Sequence, residues 1–306
     1  MIDRPTALIG LDWGTSNCRA FRLSLDGAVL ETRVAAQGIL AVTNGDFAGA
    51  FSRLVGDWLD AHEMAPVLMS GMIGSRQGWV EAPYMRLPAG AAEIAASLVS
   101  IPLGGRAMRV APGLVGPALS GGEDVMRGEE TQILGAMDLA HMSDGVLCLP
   151  GTHSKWVELR NGRIVRFATF MTGEVYAVLR AHSILGRLMG EDVHDPDAFT
   201  AGLARATAAG GLLHQLFAVR TEGLFERIAP SGLAAFLSGL LVGHEIRAAR
   251  AAMPGARIVL VGTAALTGRY AAALRADGVS AVEIAGENAA ARGLWRLADE
   301  ARLGRV

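Results

Sequence analysis

Asp12 stands near the end of an apolar run, ALIGLDW (7–13), and a small, donor-rich stretch follows: Gly14, Thr15, Ser16 and Asn17. Glycine lets backbone N–H groups come close to an anion, and the hydroxyls and the amide add further donors. A strand-end carboxylate beside such a loop suits Mg²⁺, bound directly or through water, because metal–phosphate sites use one or two carboxylates. The competing reading is an ordinary β-turn. A second stretch of the same character is Pro150-Gly151-Thr152-His153-Ser154-Lys155. It lacks the spacing of a Walker A loop. Lys155 is the single lysine of the chain, so 27 of the 28 basic residues are arginine. A compact ammonium fits a tight phosphate loop where a planar guanidinium does not. The rival explanation is a lysine left over from a composition biased toward Arg and Ala. His153 reads as a local hydrogen-bond partner, and no His/Cys spacing of a metal site occurs.

These loops need strands on either side. Residues 7–13, 18–24 and 28–33 read as three strands, the last two joined by an Asp26-Gly27 turn. The unit recurs as 145–149, 155–160 and 163–169, with an Asn161-Gly162 turn. The Gly-Thr pair recurs in the same place, 14–15 and 151–152, which points to two related domains. Helical spacing covers 46–62, 128–142, 173–190, 197–218, 231–253, 268–276 and the chain from Glu287. Strands are expected at 258–262 and 282–286, with a loop over 263–267. The class is α/β with mixed sheets. The domains are expected at 1–142, the substrate side, and 143–306, the nucleotide side, with the C-terminal helix a candidate to cross back.

Two opposed hairpin loops with a strand-end Asp resemble the ASKHA phosphotransferases, the superfamily of sugar kinases, Hsp70 and actin. The resemblance implies two RNase H-like domains flanked by helices, with the active site in the interdomain cleft. It implies that Gly14, Thr15, Ser16 and Asn17 on one side and Gly151, Thr152, Ser154 and Lys155 on the other hold the phosphates of ATP. Asp12 would position Mg²⁺, and Gly262-Thr263 would lie beneath the adenosine. Five blocks narrow the likeness: GLDWGTSNCRAFRL, SGMIGSRQGWVEAPY, RGEETQILGA, LPGTHSKWV and FMTGEVYAVL. Together they look like the 2-dehydro-3-deoxygalactonokinase family, in the family's order and over nearly the whole chain. That family phosphorylates the 6-hydroxyl of 2-dehydro-3-deoxy-D-galactonate with ATP, in galactonate catabolism.

Such a kinase needs a carboxylate to take the hydroxyl proton. Glu129 and Glu130 open a helix at Gly128, and Asp124 precedes them. The layout is similar to the ASKHA exopolyphosphatases, where a Gly-x-Glu-Glu helix supplies a catalytic Glu. Successive helical residues point about 100° apart, so one of the pair faces the cleft. The preference runs Glu129, Glu130, Asp124, against the alternative that helix-start acids complement the dipole. For the anionic substrate, Arg76 can fork onto a carboxylate, Gln77 can bond hydroxyls and Trp79 can stack on a sugar face. The alternative is a surface loop with a packed Trp. Glu174 is a further candidate for hydroxyl contacts.

The composition excludes other classes. The chain has 306 residues, 51% hydrophobic and 19% charged, enough for about two buried cores. A net charge of −2 without a basic face argues against a nucleic-acid partner. No apolar run spans a membrane, and the N-terminus lacks the pattern of a signal peptide. Two cysteines fit a reducing cytoplasm. The resemblance implies a homodimer. Rival functions are a kinase of another sugar acid, a polyphosphate phosphatase and a non-catalytic ATP-binding regulator. The regulator would normally carry an added helix-turn-helix.

Overall fold

The computed structural model describes residues 5–101, 106–191, 194–255 and 257–303. The first four residues of the N-terminal segment discussed above lie outside it. In chain order the elements are β1 (Thr6–Trp13), β2 (Cys18–Ser24), β3 (Val29–Ala35), α1 (Phe47–Ala61), β4 (Val67–Gly71), β5 (Met85–Arg86), α2 (Ala91–Ala96), β6 (Val99–Ser100), β7 (Met108–Val110), β8 (Leu114–Pro117), β9 (Glu123–Met126) and α3 (Glu129–Leu139). There follow β10 (Gly145–Leu149), β11 (Ser154–Arg160), β12 (Arg163–Phe170), α4 (Thr172–His182), α5 (Pro196–Arg205), α6 (Gly211–Leu224), α7 (Leu233–Ala252), β13 (Ile258–Gly262), α8 (Ala264–Ala276), β14 (Ala281–Ala285) and α9 (Gly286–Glu300).

The strands form three sheets, ordered β3-β2-β1-β4-β7-β6, β12-β11-β10-β13-β14 and β5-β8-β9. In the first, β1 is antiparallel to β2 and parallel to β4. In the second, β10 is parallel to β13. Each large sheet thus places a three-strand meander beside further strands in the same order, as the repeated Gly-Thr units predict. The DG and NG turns are also present, with Gly27, Asn161 and Gly162 at positive φ.

The chain divides into two compact units. One comprises Met1–Asp144, Val157–Phe167 and Ile284–Val306, the other Gly145–Trp156 and Ala168–Glu283. In the first, Ile9, Leu11 and Trp13 of β1 join Phe47, Phe51 and Trp58 of α1 in one core. On the other face, Gly10 meets Leu294 of α9. A central strand covered on both faces is why 7–13 reads as a nearly unbroken apolar run. α3 and α9 cross at Gly135 and Gly293: a Cβ on Gly135 would overlap Ala289 O, and one on Gly293 would overlap Thr131 O. In the second unit, Cys148, Trp156, Leu260, Ile246 and Leu274 form the core under α7 and α8.

Three expected helices differ. The stretch 197–218 is two helices: α5 ends at Arg205, and α6 is entered through Gly210 and Gly211, both at positive φ. The stretch 173–190 stops at His182; Ser183 turns extended, and a short 3₁₀ turn, Gly186–Leu188, follows. Residues 263–267 are not a loop: α8 begins at Ala264, preceded by Thr263 in extended conformation. The small strands β5 to β9 carry too few residues to show a period. Among the described residues, no helix is long and apolar enough to cross a membrane.

Candidate active site

The first loop begins where β1 is anchored. Trp13 is buried with its ring edge-on to Phe47, 6.2 Å between centroids, and its Nε1 donates to Gln37 O at 3.1 Å. The chain then turns, Gly14 N–H donating to Asn17 O at 2.9 Å. The backbone of 38–40 closes on the turn: Gly38, Ile39 and Leu40 N–H donate to Ser16, Gly14 and Thr15 O. The loop's carbonyls are thereby occupied from behind, while the residues Thr15, Ser16 and Asn17 are exposed.

Asp12 is half-buried and accepts from Gln132 Nε2 at 3.3 Å. Burial raises its carboxyl pKa, against the opposing effects of Gln132 and of the Arg19 charge. Gly71, at the end of β4, has φ +95°, and a Cβ there would lie 2.7 Å from Trp13 O. Gly128, with φ +103°, approaches Gly71 so closely that its Cβ would lie 3.1 Å from Gly71 Cα. Two glycines therefore let the start of α3 reach the carboxyl ends of β1 and β4, where open α/β sheets bind ligands.

Residues three apart on a helix share a face. Gln132 meets Asp12, so the face of α3 turned to Asp12 also carries Glu129. Glu129 is half-buried and its Oε2 accepts from Arg127 N–H at 3.0 Å. Glu130 points elsewhere and is fully buried. Gly128 N–H donates to its Oε2 at 2.6 Å and Thr131 Oγ1 to its Oε1 at 3.3 Å. Burial first, and the Glu129 charge second, push the Glu130 carboxyl up to about 8, against backbone N–H groups and Arg127. Asp124 lies on β9 opposite Gly116, and its carboxylate accepts from Val125 N–H. Sequence reasoning missed Gln132, although its i+3 spacing from Glu129 in RGEETQ carried the signal.

On the 70–79 loop, Arg76 is 87% exposed and pairs with Glu81 at 3.5 Å. Gln77 is exposed. Trp79 is half-buried, its ring tilted against Phe51 at 5.7 Å. Packing against the core is thus one use of Trp79. Arg127 donates to Ala82 O at 2.8 Å and lies 4.4 Å over the Tyr84 ring, tying this loop to the start of α3.

The second loop leaves β10 at Pro150. Thr152 and His153 are exposed, and Gly151 is half-buried. His153 Nε2 and the Glu174 carboxylate are paired. Glu174 N–H donates to Thr152 O at 3.0 Å, and a Cβ on Gly173 would overlap Gly151 O, so α4 begins in contact with the loop. Ser154 is fully buried, its Oγ 3.1 Å from Tyr270 OH. Lys155 is 5% exposed and Nζ donates to Thr169 Oγ1 at 2.7 Å. Gly262, at the end of β13, is near this loop: its Cβ would lie 3.7 Å from Pro150 O. Thr263 leads into α8, and a cavity of about 610 Å³ opens beside it, lined by Phe199, Ala235, Ala264, Ala265, Gly268 and Arg269 among others.

A family model described as 2-keto-3-deoxy-galactonokinase matches residues 12–297. The 2-dehydro-3-deoxygalactonokinase of Escherichia coli K12 is 36% identical over 291 residues, covering 95% of this chain and 97% of its own. A crystal structure from Sinorhizobium meliloti, assigned to the same activity, superposes with a TM-score of 0.87 at 36% identity, covering 95% of this chain and 98% of that one. At the level of fold alone, component A of the (R)-2-hydroxyglutaryl-CoA dehydratase of Acidaminococcus fermentans matches with a TM-score of 0.56 at 15% identity, covering 96% of this chain and 98% of that one.

Proposed function

The chain belongs to the 2-keto-3-deoxy-galactonokinase family, and from that membership we propose that it transfers the γ-phosphoryl group of ATP to the 6-hydroxyl of 2-dehydro-3-deoxy-D-galactonate, in galactonate catabolism. The observation that carries the assignment of roles is the bond from Gln132 to Asp12. It turns the Glu129 face of α3 toward the first loop and leaves Glu130 inside the protein.

In this reading Glu129 takes the proton of the acceptor hydroxyl as phosphoryl transfer proceeds. Glu130, uncharged at neutral pH, holds the Gly128 N–H and fixes the start of the helix. Thr15, Ser16 and Asn17 offer donors to the transferring phosphoryl group, and Gly151 and Thr152 to the other phosphates. Lys155 supplies a compact positive charge at the root of the second loop, and the cavity beside Thr263 takes the nucleoside. Arg76, exposed and only loosely paired, receives the substrate carboxylate, with Gln77 and Glu174 at hydroxyls.

Mg²⁺ fits this donor set as the partner of ATP rather than as a resident ion. Among the described residues no three His, Cys, Asp or Glu side chains gather to cage a metal, whereas one carboxylate, Asp12, stands beside the loop. A single carboxylate with phosphates and water is the usual environment of Mg²⁺, which screens the phosphate charge when bound. The buried free thiols of Cys18 and Cys148 support a cytoplasmic setting.

The test is ADP formation by the purified chain with ATP and Mg²⁺ over a panel of 2-keto-3-deoxy sugar acids. Turnover is expected only with an acceptor, and fastest with the galactonate derivative. Equal ADP release without acceptor, or none with any sugar acid, would falsify the proposal.

A further inference from the structure

The reaction so described gives no role to the buried acid of α7. Glu245, on α7, is 3% exposed. Trp156 Nε1 donates to its Oε1 and Tyr270 OH to its Oε2, each at 2.8 Å. Burial raises its carboxyl pKa, which the Thr172 and Ser154 side chains act with Trp156 and Tyr270 to lower. The four groups come from β11, α4 and α8, so one carboxyl group stands where three elements meet a fourth.

Three of these groups connect to the second loop. Ser154 ends it, and Gly151 N–H points at Ser154 Oγ from 3.5 Å. Tyr270 OH, 3.1 Å from the same oxygen, links it to α8, the helix that begins beside the nucleoside cavity. Thr172 opens α4, whose Gly173 touches Gly151 O and whose Glu174 N–H holds Thr152 O. Stability alone is a poor reason for such a group. A buried acid costs several kcal/mol to desolvate, and well-packed apolar residues of like volume commonly serve as well or better. What a fully bonded acid adds is a single geometry for its partners.

We propose that Glu245 is a positioning residue for nucleotide binding, which sets the second loop, the start of α4 and Tyr270 of α8 in the one arrangement that accepts the ATP phosphates. This rests on the reading of residues 150–155 as a nucleotide loop. The carboxyl takes the Trp156 N–H on one oxygen and the Tyr270 hydroxyl on the other. A glutamine has one acceptor oxygen, and Trp156, a donor only, must take it. The amide NH₂ then faces Tyr270 OH, which has to reverse its own bond, and the change passes to Ser154 and Gly151.

The experiment is calorimetric titration of the full chain with Mg·ATP, without sugar acid, on variants shown to be folded by circular dichroism. Glu245→Gln and Tyr270→Phe are each expected to weaken binding about tenfold, the effect of losing a hydrogen bond to a charged group. The double variant should bind no more weakly than the poorer single one, because both break the same chain of bonds. Thr152→Ala tests the loop itself. If Thr152→Ala weakens binding while Glu245→Gln and Tyr270→Phe bind as the parent does, the positioning role is overturned and the loop stands. If all three bind like the parent, both fall. Should Glu245→Gln not fold, parental affinity in Tyr270→Phe overturns the role by itself.

Discussion

Glu129 and Glu130 show how differently two adjacent acids are treated one helix step apart. Glu129→Gln should lower kcat by about 10²- to 10⁴-fold with little change in ATP affinity, as loss of a general base does. Glu130→Gln should keep most of the activity, since the amide mimics the protonated acid that burial already favours. Steady-state kinetics on both variants decides; full activity in Glu129→Gln would move the base elsewhere. The raised Glu130 carboxyl also has a thermodynamic signature. Unfolded, it titrates near 4.5; folded, near 8, beside Glu129 and Arg127. Between those values the folded state holds the extra proton, so stability falls as pH rises, by about 5 kcal/mol at most. Denaturant melts between pH 5 and 8 should show this fall, and Glu130→Gln should remove it. Lys155→Arg is the third test at this scale. With the side chain 5% exposed and Nζ on Thr169, the wider guanidinium has to displace its neighbours, at about 1–3 kcal/mol of stability. Kinetics and a thermal melt should show lost kcat along with a lower Tm; parental values in both would leave Lys155 without a special role. The sequence alone ranked Glu129, Glu130 and Asp124 in that order without settling among them, because it does not show which acid of α3 shares a face with Gln132 and Asp12. The burial of Ser154 was likewise hidden: a serine in a donor-rich turn looks the same whether it faces a ligand or a carboxyl behind the loop.

At the scale of elements, both meanders, their tight turns and the core strands were legible, since period, β-branching and Gly-containing turn pairs agree there. Helix ends were less so. Two successive glycines open α6 inside one expected helix, but a single Gly inside an apolar period carries no such message; Gly135, Gly239 and Gly293 sit within intact helices. Their role comes from a partner distant in sequence. Gly135→Ala should therefore be severe, forcing α3 off α9 and destabilising by about 3 kcal/mol or more, with Glu129 displaced and kcat reduced. Gly56→Ala on α1 is the control: the new methyl would meet only Ser52 Cβ of its own helix, at 4.0 Å, and the change should stabilise by roughly 0.5–1 kcal/mol. Chemical denaturation of the two variants tests the contrast; equal effects would refute the close crossing.

Over the whole molecule, the repeat of strand order in two sheets was foreshadowed by two short loops sharing a Gly-Thr pair. An amphipathic period in the last helix, by contrast, says that one face is covered but not by what. The partner proves to be α3, and α9 also fills the space over Gly10 with Leu294. A stop after residue 285 should abolish activity although every proposed site residue is retained. A kinase assay and a melt of that truncated chain would show it, and substantial turnover would refute the bracing role.

Synthesis order gives the crossing of α3 and α9 a further meaning. A ribosome makes Asp12 and Glu129 early, then the whole second unit, and only afterwards residues 286–300. Until then the first unit has an uncovered sheet face over Gly10 and a helix with its groove at Gly135 empty. The nascent chain is thus expected to transfer no phosphoryl group for most of its elongation, and a message cut short of α9 to yield a silent product rather than a half-active kinase.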